Sequence, residues 1–328
     1  SGGAAFTAKS LLLGIDESGE LQVDGKAADG SLSTTLAVMQ CRLGVGKQGL
    51  ATLQLSQGGF ASFFGDLRAG IEGTAFITIF DRDTHLDVVA AATVGETGDG
   101  NVDILSGASA SLLGPTTLGV QSTGVGGLRV DGAANTVQLP SSLEASSLIV
   151  GAAGRGSFEV RNGAKAVLSG DLKGGAQAGG SGRVLLDGQP VKPAGELLSP
   201  PTLQCKASLS LGEVGTATMD LVNGATAEFL ALRVGGGEQP ARLTLNKSSD
   251  IGVFATSSGD DLEGEVFIGG GTGRSVLELK NGSSMLVLLG DVFVQRNGVL
   301  RVDTSSAMAV QELFVVGTLI GKVVETGL

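Results

Sequence analysis

A pair of glycines recurs along the chain and constrains its fold more than any other feature. An apolar residue followed by glycine opens each unit, and in most units a second glycine follows 11 to 14 positions later. Where no extra residues intervene, the opening glycine returns every 23 to 26 positions. A repeat of this length is typical of solenoids, in which each unit packs only on its neighbours. The opening glycines are Gly14, Gly44, Gly70, Gly95, Gly119, Gly151, Gly174, Gly212, Gly235, Gly269 and Gly317.

Alternating apolar residues precede the second glycine, as Phe158 and Val160 do before Asn162-Gly163. A period of two predicts a strand with one buried face. Asn, Asp and Gly adopt left-handed backbone angles at little cost, so these dipeptides, repeated at one offset, predict the corners of a coil. Equivalent apolar pairs are Leu21/Val23, Leu53/Leu55, Val102/Ile104, Leu128/Val130, Met219/Leu221 and Leu277/Leu279. Equivalent corners are Asp24-Gly25, Ser106-Gly107, Asp131-Gly132, Asp187-Gly188, Asn223-Gly224 and Asn281-Gly282.

A unit of about 24 residues with two or three short strands has the size of one coil of a parallel β-helix. The sequence therefore predicts an all-β fold, a right-handed parallel β-helix of about twelve coils. Coils stacked about 4.8 Å apart would form a rod of roughly 55 to 60 Å. The composition agrees, because 55 of the 328 residues are glycine while 42% are hydrophobic. Such a chain turns often and buries what lies between the turns.

We expect residues 1–328 to form a single solenoid domain with two insertions. The first lies near 188–207 and holds four of the seven prolines, which cannot donate to an interior ladder of hydrogen bonds. The second is a polar stretch near 248–264. The repeat resumes in phase after each, so neither is expected to be a linker between domains.

The charge and aromatic content exclude some partners. The chain has 12 Phe but no Trp or Tyr, and its formal net charge is -11. Arg155, Arg161, Lys165 and Lys173 stand singly among neutral residues, so no basic patch is visible in the sequence. A polyanion would be repelled by such a chain, and we expect no nucleic-acid partner. No apolar run reaches the roughly 18 residues of a membrane-spanning helix, and we expect no membrane insertion.

The two cysteines, Cys41 and Cys205, are expected to be buried free thiols. They belong to distant units, and a disulfide requires Cα atoms within about 7 Å of each other. No cofactor is expected. The glycine triplets at 235–237 and 269–271 precede no predicted helix and are interpreted as corners, not as phosphate loops.

One segment, residues 81–87, concentrates residues with chemical potential. On an uninterrupted strand Asp81, Asp83, His85 and Asp87 would share one face and could form a cation or acid–base site. Alignment of Ile79 with Val160 instead puts Asp81 at a corner, so a solvated corner is the favoured interpretation. A second stretch, 97–103, has acidic residues but lacks the spacing of a calcium loop. The sequence therefore predicts no catalytic, cofactor-binding or metal-binding residues, and no enzyme activity.

The pattern at 150–164, VGAAGRGSFEVRNGA, returns in looser form at 211–225 and 268–283. It resembles the repeats of autotransporter passengers and related bacterial surface adhesins. This resemblance implies a secreted or cell-surface structural protein, a rod-like adhesin segment or filament subunit. Expected partners are cell-surface components or other copies bound head to tail through the coil ends, because no amphipathic helix caps either end. The sequence equally fits a fragment of a longer rod. A polysaccharide-binding or polysaccharide-cleaving β-helix protein is the alternative.

Overall fold

The computed structural model describes residues 5–25, 34–132, 140–188, 199–254 and 264–325. Within these ranges the regular structure is entirely β-strand, arranged as two parallel sheets of 21 and 12 strands. This confirms the predicted all-β parallel solenoid. The strands are β1 Ala5–Leu13, β2 Ser18–Asp24, β3 Thr35–Leu43, β4 Leu50–Ser56, β5 Phe60–Phe63, β6 Leu67–Ala69, β7 Thr74–Phe80, β8 His85–Val88, β9 Ala92–Val94, β10 Asp99–Leu105, β11 Ser109–Leu118, β12 Val125–Asp131, β13 Ser142–Val150, β14 Arg155–Arg161, β15 Lys165–Leu168, β16 Leu172–Gly174, β17 Ser181–Asp187, β18 Thr202–Cys205, β19 Ser208–Leu211, β20 Thr216–Val222, β21 Thr226–Phe229, β22 Ala231–Val234, β23 Ala241–Asn246, β24 Asp250–Phe254, β25 Val266–Ile268, β26 Ser275–Lys280, β27 Ser284–Leu288, β28 Val292–Val294, β29 Gly298–Val302, β30 Ala307–Val310, β31 Leu313–Val315, β32 Thr318–Ile320 and β33 Val324–Glu325.

Each coil contributes three strand segments, which stack into three columns. The 21-stranded sheet contains columns 1 and 2, joined where β1, β3, β11 and β13 each run through both columns. The 12-stranded sheet is column 3. Among the described residues, twelve coils have all three segments, and β33 adds a further strand on column 1. We number the coils 1 to 12 from β1; β14, for example, is the column 3 strand of coil 6.

Alternate residues of each strand point inward and form ladders that run through the coils. Val160 in coil 6 lies between Val130 of coil 5 and Leu186 of coil 7, and all three are fully buried. Phe158, two residues earlier on the same strand, is also fully buried. Complete burial of an aliphatic or aromatic side chain contributes about 1.5–3 kcal/mol. The alternating pairs predicted from the sequence therefore form the core, and stability depends on contacts between coils.

The first corner of a coil, between columns 2 and 3, depends on a left-handed glycine. Gly151 has φ 71°, and a side chain there would collide with the Ser181 carbonyl group of the next coil. The predicted opening position is wrong at Gly174, which lies inside β16; the left-handed residue is Gly175, with φ 61°. Gly317 also lacks a left-handed φ. The remaining opening glycines all have left-handed φ, and they are Gly14, Gly44, Gly70, Gly95, Gly119, Gly151, Gly212, Gly235 and Gly269.

The corner after column 3 takes two forms. Where Asn-Gly occurs both residues are left-handed, as at Asn162 with φ 53° and Gly163 with φ 78°. The left-handed prediction is wrong for Asp24-Gly25, Asp131-Gly132 and Asp187-Gly188, none of which has a positive φ. At these sites the glycine is needed for a different reason, because its Cα faces the backbone of the next coil's corner too closely for a side chain. The Asp131 carboxylate accepts a hydrogen bond of 2.6 Å from the Asn162 side chain. This bond joins an Asp-Gly corner in coil 5 to an Asn-Gly corner in coil 6.

Parts of both predicted insertions are regular strands. Residues 202–205 form β18 in register with β15, and residues 250–254 form β24 in register with β27. Residues 189–198 and 255–263, the centres of the two segments, lie outside the described residues. The coils on either side of each segment pair directly in parallel register, β17 with β20 and β22 with β25.

Candidate functional site

The acidic segment at residues 81–87 is divided by a corner. Ile79 stands in the same inward ladder as Val160, as the alignment predicted, and Asp81 and Asp83 follow with left-handed φ of 74° and 66°. The Asp83 side chain is 79% exposed and lies 3.7 Å from the Arg82 guanidinium. Within the described part of the chain, no three His, Cys, Asp or Glu side chains are grouped as metal ligands. Asp81 and Asp83 therefore lie at a solvated corner and not on a shared strand face.

His85 and Asp87 lie beyond this corner, on the outer face of β8. The Nε2 atom of His85 is 2.7 Å from Asp87 Oδ1, and its Nδ1 atom is 2.6 Å from the Ser109 Oγ atom of the next coil. Ser111 Oγ lies 3.4 Å from Nε2, and the imidazole stacks on the Phe60 ring with centroids 5.6 Å apart. Ser109 and Ser111 are not recognisable from the sequence as partners of His85, because only the coil register brings them beside a residue 24 and 26 positions earlier in the chain.

The Asp87–His85–Ser109 cluster has the residue types of a hydrolase triad, but the backbone N–H of Ser109 is not free to act as an oxyanion donor. Acyl transfer requires free donors aimed at the oxyanion. The backbone N–H of Ser109 donates to the Thr84 carbonyl group, and its strand is paired on both sides by neighbouring coils. The side chains of Asp87, His85 and Ser109 hydrogen-bond to one another across two coils. We interpret the cluster as a polar contact that ties coil 5 to coil 4.

The second acidic stretch, residues 97–103, is also part of the solenoid wall. Residues 99–105 form β10, so Asp99, Asn101 and Asp103 point outward along one strand. Asp103 pairs with Arg129 of the next coil at 3.0 Å, and the Thr97 hydroxyl donates to the Ile71 carbonyl group. The glycine triplets likewise form corners: Gly235, Gly236, Gly269 and Gly270 have left-handed φ, and a strand follows each triplet.

Both cysteines are buried free thiols, as expected. Burial raises the pKa of the Cys41 thiol to about 12 and that of the Cys205 thiol to about 11. The thiolate is the reactive form of cysteine, so neither side chain is suited to nucleophilic or metal-binding chemistry at neutral pH. No helix in the described ranges has the length and apolar character needed to cross a bilayer.

Aromatic side chains form a ladder on the outer face of column 2. The rings of Phe267, Phe293 and Phe314 stack with successive centroids 5.0 Å apart, and the Arg233 guanidinium lies 5.0 Å from the Phe267 centroid. Arg233 belongs to coil 9, and the three rings belong to coils 10 to 12. Phe314, in the last of these coils, is 44% exposed.

Apolar side chains are exposed at both ends of the described solenoid. Phe6 in coil 1 is 57% exposed, although its ladder neighbour Leu36 in coil 2 is buried. Val315 in coil 12 is 42% exposed, while its neighbour Val294 in coil 11 is fully buried. The same inward position is thus buried between two described coils and exposed where only one described coil adjoins it.

Comparison with known proteins assigns no family to the chain. No protein-family model matches it, and no curated protein matches it. One solved structure that aligns with it is a TibA fragment hyper-glycosylated by TibC, which is 12% identical. That alignment covers 99% of this chain and 97% of the fragment, with a TM-score of 0.28. A score this low supports no conclusion about function, and the solenoid assignment rests on the strand registers described above.

Proposed function

We propose that the chain is a structural rod of the cell surface or the secreted space, an adhesin segment or filament subunit that associates through its coil ends. The observation that supports this most is the exposure of ladder residues at both described ends. An open coil offers unpaired strand edges together with an apolar cross-section, and such surfaces favour addition of another coil. The covering coil in this proposal belongs to a second copy of the chain.

The outer surface supports a structural role over a catalytic one. The lone histidine is held by Asp87 and Ser109 in a cross-coil contact, and both thiols are buried. Polar ladders on the corners have the same character: the Asn223 side chain donates to Asp187 at 2.6 Å and the Asn281 side chain to Asn246 at 2.7 Å. These side chains form hydrogen bonds between neighbouring coils.

End association is testable by sedimentation velocity and negative-stain electron microscopy over a wide concentration range. The wild-type chain should form particles longer than one copy as its concentration rises. Phe6→Lys and Leu319→Lys, which charge the two open ends, should keep it as single copies. Thr7→Lys and Thr318→Lys place the same charge on neighbouring outward positions and should still associate. A wild-type chain that stays monomeric at the highest concentration contradicts the proposal.

Polysaccharide cleavage is the second candidate, and the Asp87–His85 pair is the observation that favours it. The chain would be incubated with neutral and acidic polysaccharides and the reducing ends counted. The combined replacement of Asp81, Asp83, His85 and Asp87 by alanine should abolish any cleavage if this pair is responsible. Cleavage that is unchanged in the variant, or absent in the wild type, eliminates this candidate.

A further inference from the structure

Arginines from four coils converge on the outer face of column 3, although they are far apart in sequence. They belong to two rows of outward positions that run through coils 6 to 10 in register with Arg155 and Ser157 of β14, and we call this surface the arginine face. These two rows carry four arginines, four hydroxyl side chains and no carboxylate, whereas the next outward row of the same strands includes Glu159, Asp220 and Glu278. Its residues are Arg155, Ser157, Ser181, Arg183, Thr216, Thr218, Pro240, Arg242, Arg274 and Val276.

The strand register sets the spacing of these side chains. Arg183 of coil 7 lies beside Thr218 of coil 8, which lies beside Arg242 of coil 9. Neighbouring parallel strands are about 4.8 Å apart, so the two arginine backbones are separated by about 9.6 Å with a hydroxyl between them. Arg274, on coil 10, is one coil further along and immediately precedes β26. A groove of about 460 Å³ lies over this surface and is lined by Arg183, Arg242 and Arg274.

Three of the four arginines form no ion pair with any residue in the described ranges. Arg242 pairs with Glu278 at 2.5 Å and also donates to the Thr244 hydroxyl. Arg155, Arg183 and Arg274 have no ion pair among the described residues, although the chain as a whole carries a formal net charge of -11. Exposed guanidinium groups collected in a groove attract anions to that part of the surface.

We propose that the arginine face binds an acidic polysaccharide laid along the solenoid axis. Carboxylate and sulfate groups match the planar fork of arginine, which donates two parallel hydrogen bonds to one anion. The serine and threonine hydroxyls between the arginines supply donors and acceptors for sugar hydroxyls. The arginines lie on coils 6, 7, 9 and 10, so their spacing along the solenoid axis is a multiple of the distance between coils. A polysaccharide with regularly spaced acidic groups can therefore contact several of them at once. This inference is independent of end association, since the face lies on the side of the coils.

Nucleic acid is the competing polyanion, and the surface fits it less well. Single strands bind to grooves in which bases stack on aromatic rings, and no aromatic residue belongs to the arginine face. Four arginines also form a small positive area on a strongly acidic chain, whereas nucleic-acid surfaces neutralise many phosphates. A polysaccharide with widely spaced charges requires fewer contacts.

The test measures binding of the full chain to four immobilised probes: polygalacturonate, heparin, a single-stranded oligonucleotide and neutral dextran. We expect binding to polygalacturonate or heparin and not to dextran. Arg183→Gln/Arg242→Gln/Arg274→Gln should weaken that binding by about tenfold or more, equivalent to at least about 1.4 kcal/mol. Arg183→Gln/Arg274→Gln leaves the Glu278 pair intact and should also weaken it, which guards against a folding defect in the triple variant.

A matched control separates the site from the overall charge. Arg42→Gln/Arg82→Gln/Arg296→Gln removes three exposed arginines elsewhere and should bind as the wild type does. Replacing the three groove arginines by lysine keeps the charge but loses the bidentate geometry, and binding should fall as well. The proposal is overturned if neither acidic polysaccharide binds, if both triple Gln variants weaken binding equally, or if the oligonucleotide binds at least as tightly. Melting temperatures and particle sizes of all variants would show separately whether the fold and end association survive.

Discussion

The outer face of column 3 has opposite charge in its two halves, although the inner face is the same in both. In coils 1 to 4, the first two outward positions carry two carboxylates, Glu20 and Asp99, and no cation. In coils 6 to 10 these positions carry four arginines and no carboxylate. The inward positions hold buried apolar pairs in both halves, for example Leu53 and Leu55 in coil 2 and Leu243 and Leu245 in coil 9.

The fold determines the residue types at inward positions of column 3 and leaves the outward positions free to vary. An inward side chain touches the coils above and below, so the ladder restricts it to apolar or small residues. An outward side chain meets solvent and its neighbours on the same face, and many residue types are compatible with the same strand. Any function that distinguishes the two halves should therefore reside in outward side chains.

The largest expected effect tests the inner face. Phe158→Ala, in the fully buried ladder of β14, should lower the free energy of unfolding by about 3–5 kcal/mol, because it removes a ring and leaves a cavity. Ser157→Ala on the outer face of the same strand should change it by no more than about 0.5 kcal/mol. Urea unfolding followed by circular dichroism measures both. Equal effects would mean that the distinction between faces is wrong.

The next effect tests whether the two halves have the same backbone conformation at the first corner of the coil. Gly70→Ala in coil 3 and Gly151→Ala in coil 6 should each cost about 1–3 kcal/mol, because both glycines have left-handed φ and face a carbonyl group of the next coil. Gly224→Ala is the control for φ alone, since its φ is 79° but no atom lies within 4 Å of the added carbon. It should cost less than the other two. A large difference between Gly70→Ala and Gly151→Ala would break the equivalence of the halves.

A smaller effect concerns a corner contact and depends on pH. The Asn281 backbone N–H donates to Asp303 at 2.7 Å, and this hydrogen bond is the main reason that the pKa of Asp303 falls from 3.8 to about 2. Since the pKa is lower in the folded state, the contribution to stability is complete above pH 3.8 and is lost as the pH falls through 2. The stability difference between the wild type and Asp303→Asn should therefore shrink between pH 5 and pH 2. A constant difference would show that the carboxylate charge is not involved.

The smallest expected effect on stability comes from exchanging outward charges between the halves. Arg183→Glu and Glu20→Arg remove no ion pair found in the described structure and lie on exposed faces. Each should change the free energy of unfolding by about 0.5 kcal/mol or less. Thermal melts at low and high salt would check this. A destabilisation comparable with that of Phe158→Ala would mean that the outer charges are part of the fold.

The sequence predicts the inner face well and the outer face poorly. Alternation before Asn162-Gly163 identifies Phe158 and Val160 as buried, because the period of two repeats in every coil. Arg183 and Arg242 are 59 positions apart, and their proximity depends on the register of two coils and on the length of the segments between them. The same holds for His85 and Ser109. Arginines that stand singly in the sequence therefore form one surface only when the coils are stacked.

The distinction between the halves can be tested most directly by labelling arginines with phenylglyoxal in the presence and absence of polygalacturonate. Peptide mass spectrometry would report the labelling of each arginine. We expect the polysaccharide to protect Arg183, Arg242 and Arg274, while Arg42 and Arg82 are labelled as in the free chain. Uniform protection of all arginines, or protection confined to Arg42 and Arg82, would contradict it.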